Sequence, residues 1–414
     1  MESKQNGHRW GIILAAIVVL SLLATQEVMA QTLQVLHTFT GGSDGARPWA
    51  GVTMDRAGNV YGTTSGGGLG DGTVFRLTRS ATVWSFASLY SFQGDTDGAY
   101  PRSPVIFGPD GNLYGTTSGG GITDDCCGTI YKLTASCHSV VCTWTESVLY
   151  RFQGGSDGSA PAGGIVFDPA GNIYGTTYSG GGSGCGGPGC GTVFKLASSG
   201  GSWSESLVYR FTGGADGAAP LATVTLDQAG NLYGTASGAG RNGLGVVFQL
   251  SPTGSGWSES VLHAFQNGND GATPIGGLIF DSTGNIYGTT YHGGPNRNGA
   301  VFELSPSGGG WILNVLYIFP AGGFEGGPWA TLFMDRAGSL YGTTYYGGTQ
   351  RDGSVFKLTP SNGGWTERDL YDFSIYDGEA LYGSVIVDSN GVVYGTTYFG
   401  GGNRTTGEVF KITQ

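Results

Sequence analysis

Four sets of residues in this 414-residue chain have chemistry to offer: histidines, carboxylates, cysteines and a one-sided group of aromatic rings with arginines. The histidines beyond residue 30 are His37, His138, His263 and His292. His37 and His263 stand where Tyr stands in other copies of a repeated strand, so they read as packing variants. No nucleophile elbow is expected, and the Gly-Gly-Gly runs lack the Lys-Ser/Thr of a phosphate loop. No catalytic residue is assigned. The carboxylates fall into two series. Asp55, Asp168, Asp227, Asp281, Asp335 and Asp388 each open an Asp-x-x-Gly turn, with Gly108 in the same register. Asp44, Asp97, Asp157, Asp216, Asp270 and Asp377 each precede a Gly, and Phe324-Glu325 interrupts that series. A calcium site needs several oxygens converging at about 2.4 Å. One Asp per repeat suits the capping of turn N–H groups instead. No metal site and no cofactor are expected. Glu325 and Glu379 are the carboxylates that neighbouring repeats could bring together for glycoside hydrolysis, which needs such a pair.

The six cysteines all fall between Cys126 and Cys190. Cys185 and Cys190 bracket a Gly-Gly-Pro-Gly loop, and Cys137 and Cys142 bracket another short one. Both are expected to be local disulfides, as suits an exported protein. Cys126 and Cys127 either bridge each other or pair elsewhere.

A Pro recurs before the first strand of six repeats, with Leu381 in its place in the seventh, and the residue after it varies. It is Trp49, Arg102, Ala162, Leu221, Ile275, Trp329 and Tyr382 in order. The large residues occupy four repeats that become neighbours if the chain closes into a ring. Arg47 and Tyr100, just before their Pro, fall in the same arc. A second loop adds Tyr291-His292, Tyr345-Tyr346 and Tyr398-Phe399. This set suits a stacking platform, with ring faces for sugar C–H surfaces and Arg for hydroxyls or carboxylates. It suits equally a plug that fills or covers a central channel.

These residues are positioned by a repeat. Tyr-Gly-Thr begins at Tyr61, Tyr114, Tyr174, Tyr233, Tyr287, Tyr341 and Tyr394, about every 55 residues. The turn Asp and the Pro keep their offsets from it in almost every copy, so length changes fall in the Gly-rich loops. Each unit reads as four strands. In the third, these are Gly164 to Asp168, Ile173 to Thr177, Thr192 to Leu196 and Trp203 to Phe211, divided by turns. Trp84, Trp144, Trp203, Trp257, Trp311 and Trp365 open fourth strands, and that regularity points to packing between units. Seven units of four antiparallel strands predict an all-β, seven-bladed β-propeller. The seventh unit stops after its third strand, Glu408 to Ile412. Leu33 to Phe39 carries the fourth-strand pattern, so the N-terminal segment, residues 31–40, is expected to complete the last blade and remove an open sheet edge. In such a blade the loops that join fourth to first strand and second to third share one face, which is where the aromatic arc falls.

The repeats resemble those of bacterial choice-of-anchor tandem repeat GloVer-containing proteins. The resemblance lies in Gly-Asn-Ile-Tyr-Gly-Thr-Thr at 171–177, Gly-Gly-Gly at 180–182 and Gly-Thr-Val-Phe-Lys-Leu at 191–196, with cognates in the other units. It implies an exported surface or secreted repeat protein. It brings no reaction and no catalytic residues. Members take varied C-terminal anchors, and none is expected here.

Composition agrees with a folded repeat array. Glycine makes up 81 residues without a collagen period, aromatic residues 12% and charged residues only 12%. The net charge of −11 with no basic cluster argues against nucleic acid or an anionic membrane as partner. Lys4 and Arg9 precede an apolar run from Gly11 to Ala24, followed by Val28-Met29-Ala30. That is the form of a signal peptide cleaved after Ala30, with a retained anchor as the alternative. A secreted or extracytoplasmic monomer is expected, a single domain over 31–414 with no membrane span after cleavage. Two functions stay open. One is a non-catalytic binding protein for a glycan or another extracellular protein. The other is an extracellular lyase or glycoside hydrolase acting at the central mouth.

Overall fold

The computed structural model describes residues 31–80, 83–123, 126–138, 141–187, 189–320, 327–400 and 404–414. The leader assigned to residues 1–30, Phe324 and Glu325 lie outside these. The described residues form seven antiparallel sheets of four strands, the seven-bladed propeller that the repeat predicts. Blade 3 is Val166–Phe167, Ile173–Thr177, Thr192–Ser199 and Ser202–Arg210, in that order from the axis outward. Its first strand is shorter than the apolar run Gly164 to Asp168 suggests. The reason is crowding at the axis. A Cβ on Gly163 would lie 2.8 Å from the Ala222 backbone, and one on Gly164 would lie 2.6 Å from Thr223 Oγ1. Those residues therefore pack on the next blade instead of joining the sheet.

Each residue of Tyr-Gly-Thr has a separate structural task. The Thr hydroxyl donates to a backbone carbonyl of the following blade, as Thr63 does to Ser103 at 3.0 Å and Thr176 to Ala222 at 2.9 Å. Thr116, Thr235, Thr289 and Thr343 repeat this to Gly163, Gly276, Ala330 and Gly383. Thr396 of blade 7 donates to Ala50 of blade 1 at 2.8 Å, so the bonds run round the whole ring. The Gly faces a buried ring of the third strand. A Cβ on Gly62 would sit 2.5 Å from Phe75, so no side chain fits there. The Tyr hydroxyl donates to the turn Asp of its own blade, as Tyr61 does to Asp55 at 3.1 Å. Blade 2 has Gly108 at that position, and Asp110 takes over, accepting from Tyr114 at 2.9 Å.

The core lies between blades. Phe39, Val52, Val60, Phe75, Leu77, Tyr394 and Val409 form one cluster that joins blades 7 and 1. Trp84, Trp257, Trp311 and Trp365 of the fourth strands pack edge-on against the repeat Tyr of the blade before. Trp257 lies 6.1 Å from Tyr174, and Trp84 lies 6.2 Å from Tyr394. Thr32–Thr38 is the outermost strand of blade 7, antiparallel to Glu408–Thr413. Leu33 faces Ile412 and Val35 faces Phe410.

Blade 2 departs from the others. Its strands Leu113–Thr123, Cys126–His138 and Val141–Arg151 are long, and Gly119 to Gly121 continues a strand where a loop is expected. Gly121 pairs with Cys127, and Cys137 pairs with Cys142 across a hairpin, which sets up their disulfide. Cys185 and Cys190 are also bonded, and Cys126 bonds its neighbour Cys127. The last two bridges occupy matching places. Each lies under the Gly that follows a fourth strand, Gly154 for Cys127 and Gly213 for Cys190.

Candidate ligand-binding site at the channel mouth

Both aspartate series serve turns. Asp168 accepts from the Ala170 and Asn172 N–H groups, each at 2.9 Å. Asp97 accepts from Tyr90 Oη at 2.7 Å, and Asp157 from Tyr150 Oη at 3.0 Å. His37 and His263 take that same Tyr place, reaching Asp44 at 3.1 Å and Asp270 at 3.0 Å. Burial lowers the His37 pKa against the pull of Asp44. Among the described residues no group of three His, Cys, Asp or Glu could hold a metal. Two runs, 41–45 and 154–158, do spell Gly-x-Ser-x-Gly. They are not elbows, because a nucleophile elbow leads a strand into a helix. Here Gly41 N–H closes on Gly45 O, and Gly154 N–H on Gly158 O, as turns between strands.

The residues before and after the repeat Pro surround the axis. Just before it the backbone is left-handed, with φ 57° at Arg47 and at Tyr100 and 56° at Ala160, Ala219 and Thr273. That conformation is held by a bond to the preceding blade, as from Arg47 N to Thr406 O at 2.8 Å and from Tyr100 N to Asp71 O at 2.9 Å. Left-handed backbone costs any residue that carries a Cβ about 1 kcal/mol or more. Ala, Thr or Gly fills this place in the other blades, so the fold itself does not ask for Arg47 or Tyr100.

After the Pro, Trp49, Arg102, Ala162, Leu221, Ile275, Trp329 and Tyr382 all line one cavity of about 140 Å3 on the axis. The large rings fill one side of its mouth. Trp49 stacks on Tyr382, with centroids 4.0 Å apart and planes 8° from parallel. Trp329 meets Tyr382 edge-on at 5.2 Å and Tyr291 at 4.9 Å. Tyr345 lies 4.7 Å from Tyr382, and its hydroxyl accepts from Tyr382 at 2.9 Å and from Tyr346 at 3.1 Å. His292 sits against Tyr291 at 4.2 Å. Burial pushes the Tyr345 phenol up to about 12 and raises that of Tyr382. The bond to Tyr345, then burial, pushes Tyr346 up to about 12.

The other face of Trp49 carries Arg102, whose guanidinium carbon is 4.9 Å from the ring centre. Arg47 lies over Phe399 at 6.0 Å. Tyr398 bridges the two groups, 5.3 Å from Trp49 and 4.5 Å from Phe399. Arg47, Tyr100, Arg102 and Tyr398 converge on a second, larger cavity of about 400 Å3 outside the channel. Its floor is the Gly-rich loop Ser65-Gly66-Gly67, and Thr405-Thr406 form one wall. Arg102 borders both cavities. The arc predicted from sequence is thus two structures: an inner ring cluster at the channel and an outer groove with two arginines. Glu379, half of the proposed carboxylate pair, holds Phe399 through paired backbone bonds of 3.1 Å. Burial, then Asp352, raises its carboxyl pKa.

One set of acidic residues escaped the sequence reading. Glu146, Glu205 and Glu259 stand two residues after the fourth-strand Trp, and each is pushed up to about 7 by burial and by Asp97, Asp157 and Asp216 respectively. The repeated Trp-x-Glu was the available signal. Where His replaces Tyr on the preceding blade, the matching residue is Phe86 or Leu313, and Phe86 stacks on His37 at 4.0 Å.

No functionally curated protein matches the sequence. Among solved structures, an ulvan lyase from a new family of polysaccharide lyases superposes with a TM-score of 0.53 at 13% identity. The match covers 89% of this chain and 93% of that one. The structure of such a lyase bound to -[GlcA(1-4)Rha3S]- gives 0.52 at 13% identity, with 89% and 93% covered. A glucose dehydrogenase gives 0.45 at 16% identity, covering 92% of this chain and 99% of that one. At these identities the likeness is one of fold. The model of the Gloeobacter/Verrucomicrobia repeat matches residues 25–186, 141–327 and 256–414, and the chain belongs to that repeat family.

Proposed function

We propose that this protein is an exported, non-catalytic propeller that binds a glycan in the groove beside its channel mouth. The observation that carries this is the convergence of Arg47, Tyr100, Arg102 and Tyr398 on one cavity of about 400 Å3. Aromatic side chains give sugars a flat apolar partner, and arginines give their oxygens fixed donors. Export rests on the leader pattern of residues 1–30, with residues 31–414 as the mature domain. The disulfides at Cys137–Cys142 and Cys185–Cys190 are in keeping with it. Among the described residues no helix is long and apolar enough to cross a membrane.

The alternative is a lyase or hydrolase at the mouth, and the fold shared with the ulvan lyase favours it as a second reading. Fold likeness alone is thin support for a reaction. Proton abstraction needs a base poised near the working pH. Tyr345 and Tyr346 are pushed to about 12, the wrong direction for that role. A glycan array with the purified exported protein, run beside a depolymerisation screen, tests both. The proposal expects saturable binding and no new chain ends. Release of unsaturated or reducing ends from any polysaccharide would replace it with the enzyme.

A further inference from the structure

We propose that the saccharide taken by the groove is acidic, with Arg47 and Arg102 holding its carboxylate or sulfate groups; this rests on the glycan-binding reading above. Four observations lead there.

The first concerns which surfaces are open. A platform for neutral sugars needs a bare ring face, and Trp49 has none to offer. Tyr382 covers one face at 4.0 Å and Arg102 the other at 4.9 Å. What the Trp49–Arg102 pair offers solvent is the exposed Arg102 guanidinium. A guanidinium held over a ring can still meet a planar anion with two parallel bonds.

The second concerns pairing. Two lysines of the repeat are neutralised by turn carboxylates. Lys132 reaches Asp110 at 2.7 Å, and Lys357 reaches Asp335 at 3.9 Å. Arg47 and Arg102 are both exposed, and among the described residues neither has a carboxylate partner. In a chain of net charge −11, two unpaired arginines facing one cavity are a local reversal of sign.

The third concerns side-chain size. Arg47 and Tyr100 hold φ of 57° in places where the other blades use small residues or Thr. Ala160, Ala219, Thr273 and Ala380 share that φ, so what sets Arg47 and Tyr100 apart is the long side chain each sends to the groove. The fourth is the division of charge at the mouth. Asp352 and Glu379 lie near Tyr346 on the blade 6–7 side, away from the groove lining. An anion bound between Arg47 and Arg102 meets no carboxylate among the residues lining that cavity.

The test compares ligands that share a backbone and differ in charge. One pair is polygalacturonate and its fully methyl-esterified form. The other is a sulfated galactan and the same polymer desulfated. Binding of the exported protein is measured by calorimetry for all four, and for vesicles of phosphatidylglycerol. The proposal expects at least one charged form to bind about tenfold or more tighter than its neutral partner, the size of one lost charge-assisted bond. It expects that preference to vanish in Arg102→Ala. Preference within the first pair assigns a carboxylate ligand, and within the second a sulfate. Equal binding of charged and neutral partners would overturn the acidic assignment while leaving glycan binding intact. Binding to no saccharide, or to the vesicles above every saccharide, would overturn both.

Discussion

The indole of Trp49 and the phenol of Tyr382 lie face to face at 4.0 Å across the seam where the first blade meets the seventh. Their stack belongs to the inner ring cluster, and its outer face props Arg102. Trp49→Ala removes packing and prop together. Half-buried, Trp49 is expected to stabilise the fold by about 2 kcal/mol, less than a fully buried Trp. Arg102→Ala should change stability by under about 0.5 kcal/mol, as exposed substitutions do. Chemical denaturation of the two variants separates these effects, and equal losses would dissolve the division between plug and groove.

Ring closure has two independent supports. The strand Thr32–Thr38 pairs with Glu408–Thr413, and Thr396 donates to Ala50 at 2.8 Å. Deleting residues 31–40 exposes the Glu408–Thr413 edge and removes the buried Phe39 ring. It should lower the melting temperature of the whole molecule in one transition. Thr396→Val should cost about 1–2 kcal/mol, by leaving a buried carbonyl unpaired. A truncated protein that melts with the parent would show that the N-terminal strand does not hold the ring.

Much of this fold was legible because each residue of the repeat has one task in every blade. The spacing of Tyr-Gly-Thr gave the blade count, and the missing fourth strand after Ile412 pointed to Leu33–Phe39. What the motif does was hidden. That Thr63 reaches Ser103, or that Gly62 must clear Phe75, depends on which elements meet. The large residues after Pro were legible as one arc, since blade order alone makes them neighbours. Their sorting into plug and groove was not. It depends on ring orientation, and Trp49 turning both faces to protein cannot be seen in a sequence. Gly108 looked like a lapse in the turn series, whereas Asp110 restores the bond to Tyr114 from two residues away.

The buried glutamates give the ring a pH dependence. Burial first, and Asp97, Asp157 and Asp216 next, raise Glu146, Glu205 and Glu259 from 4.5 to about 7. The folded state therefore binds their protons more tightly than the unfolded chain does. Their favourable contribution is complete below about pH 4.5 and declines as pH rises through about 7. The melting temperature should be higher at pH 5.5 than at pH 8. The triple variant Glu146→Gln, Glu205→Gln, Glu259→Gln should flatten that slope and gain stability at pH 8. An unchanged slope in the triple variant would place the titrating groups elsewhere.

The disulfides Cys137–Cys142 and Cys185–Cys190 each close a loop of six residues. Chain-entropy arguments give each about 2 kcal/mol at most. Reduction should therefore lower the melting point modestly and leave the blades intact. Non-reducing peptide mapping of exported material should recover both as linked peptides. Free thiols at 185 and 190 would remove the oxidised-compartment argument.

The central claim is that the groove beside the mouth, and not the channel, is where this protein meets its ligand. Calorimetry with the tightest saccharide found on the array, comparing the parent with the Arg47→Ala, Arg102→Ala double variant, tests it most directly. Two lost charge-assisted contacts should weaken binding about 100-fold or more while the melting temperature stays within a degree or two of the parent. A double variant that folds normally and binds as tightly as the parent would contradict the account.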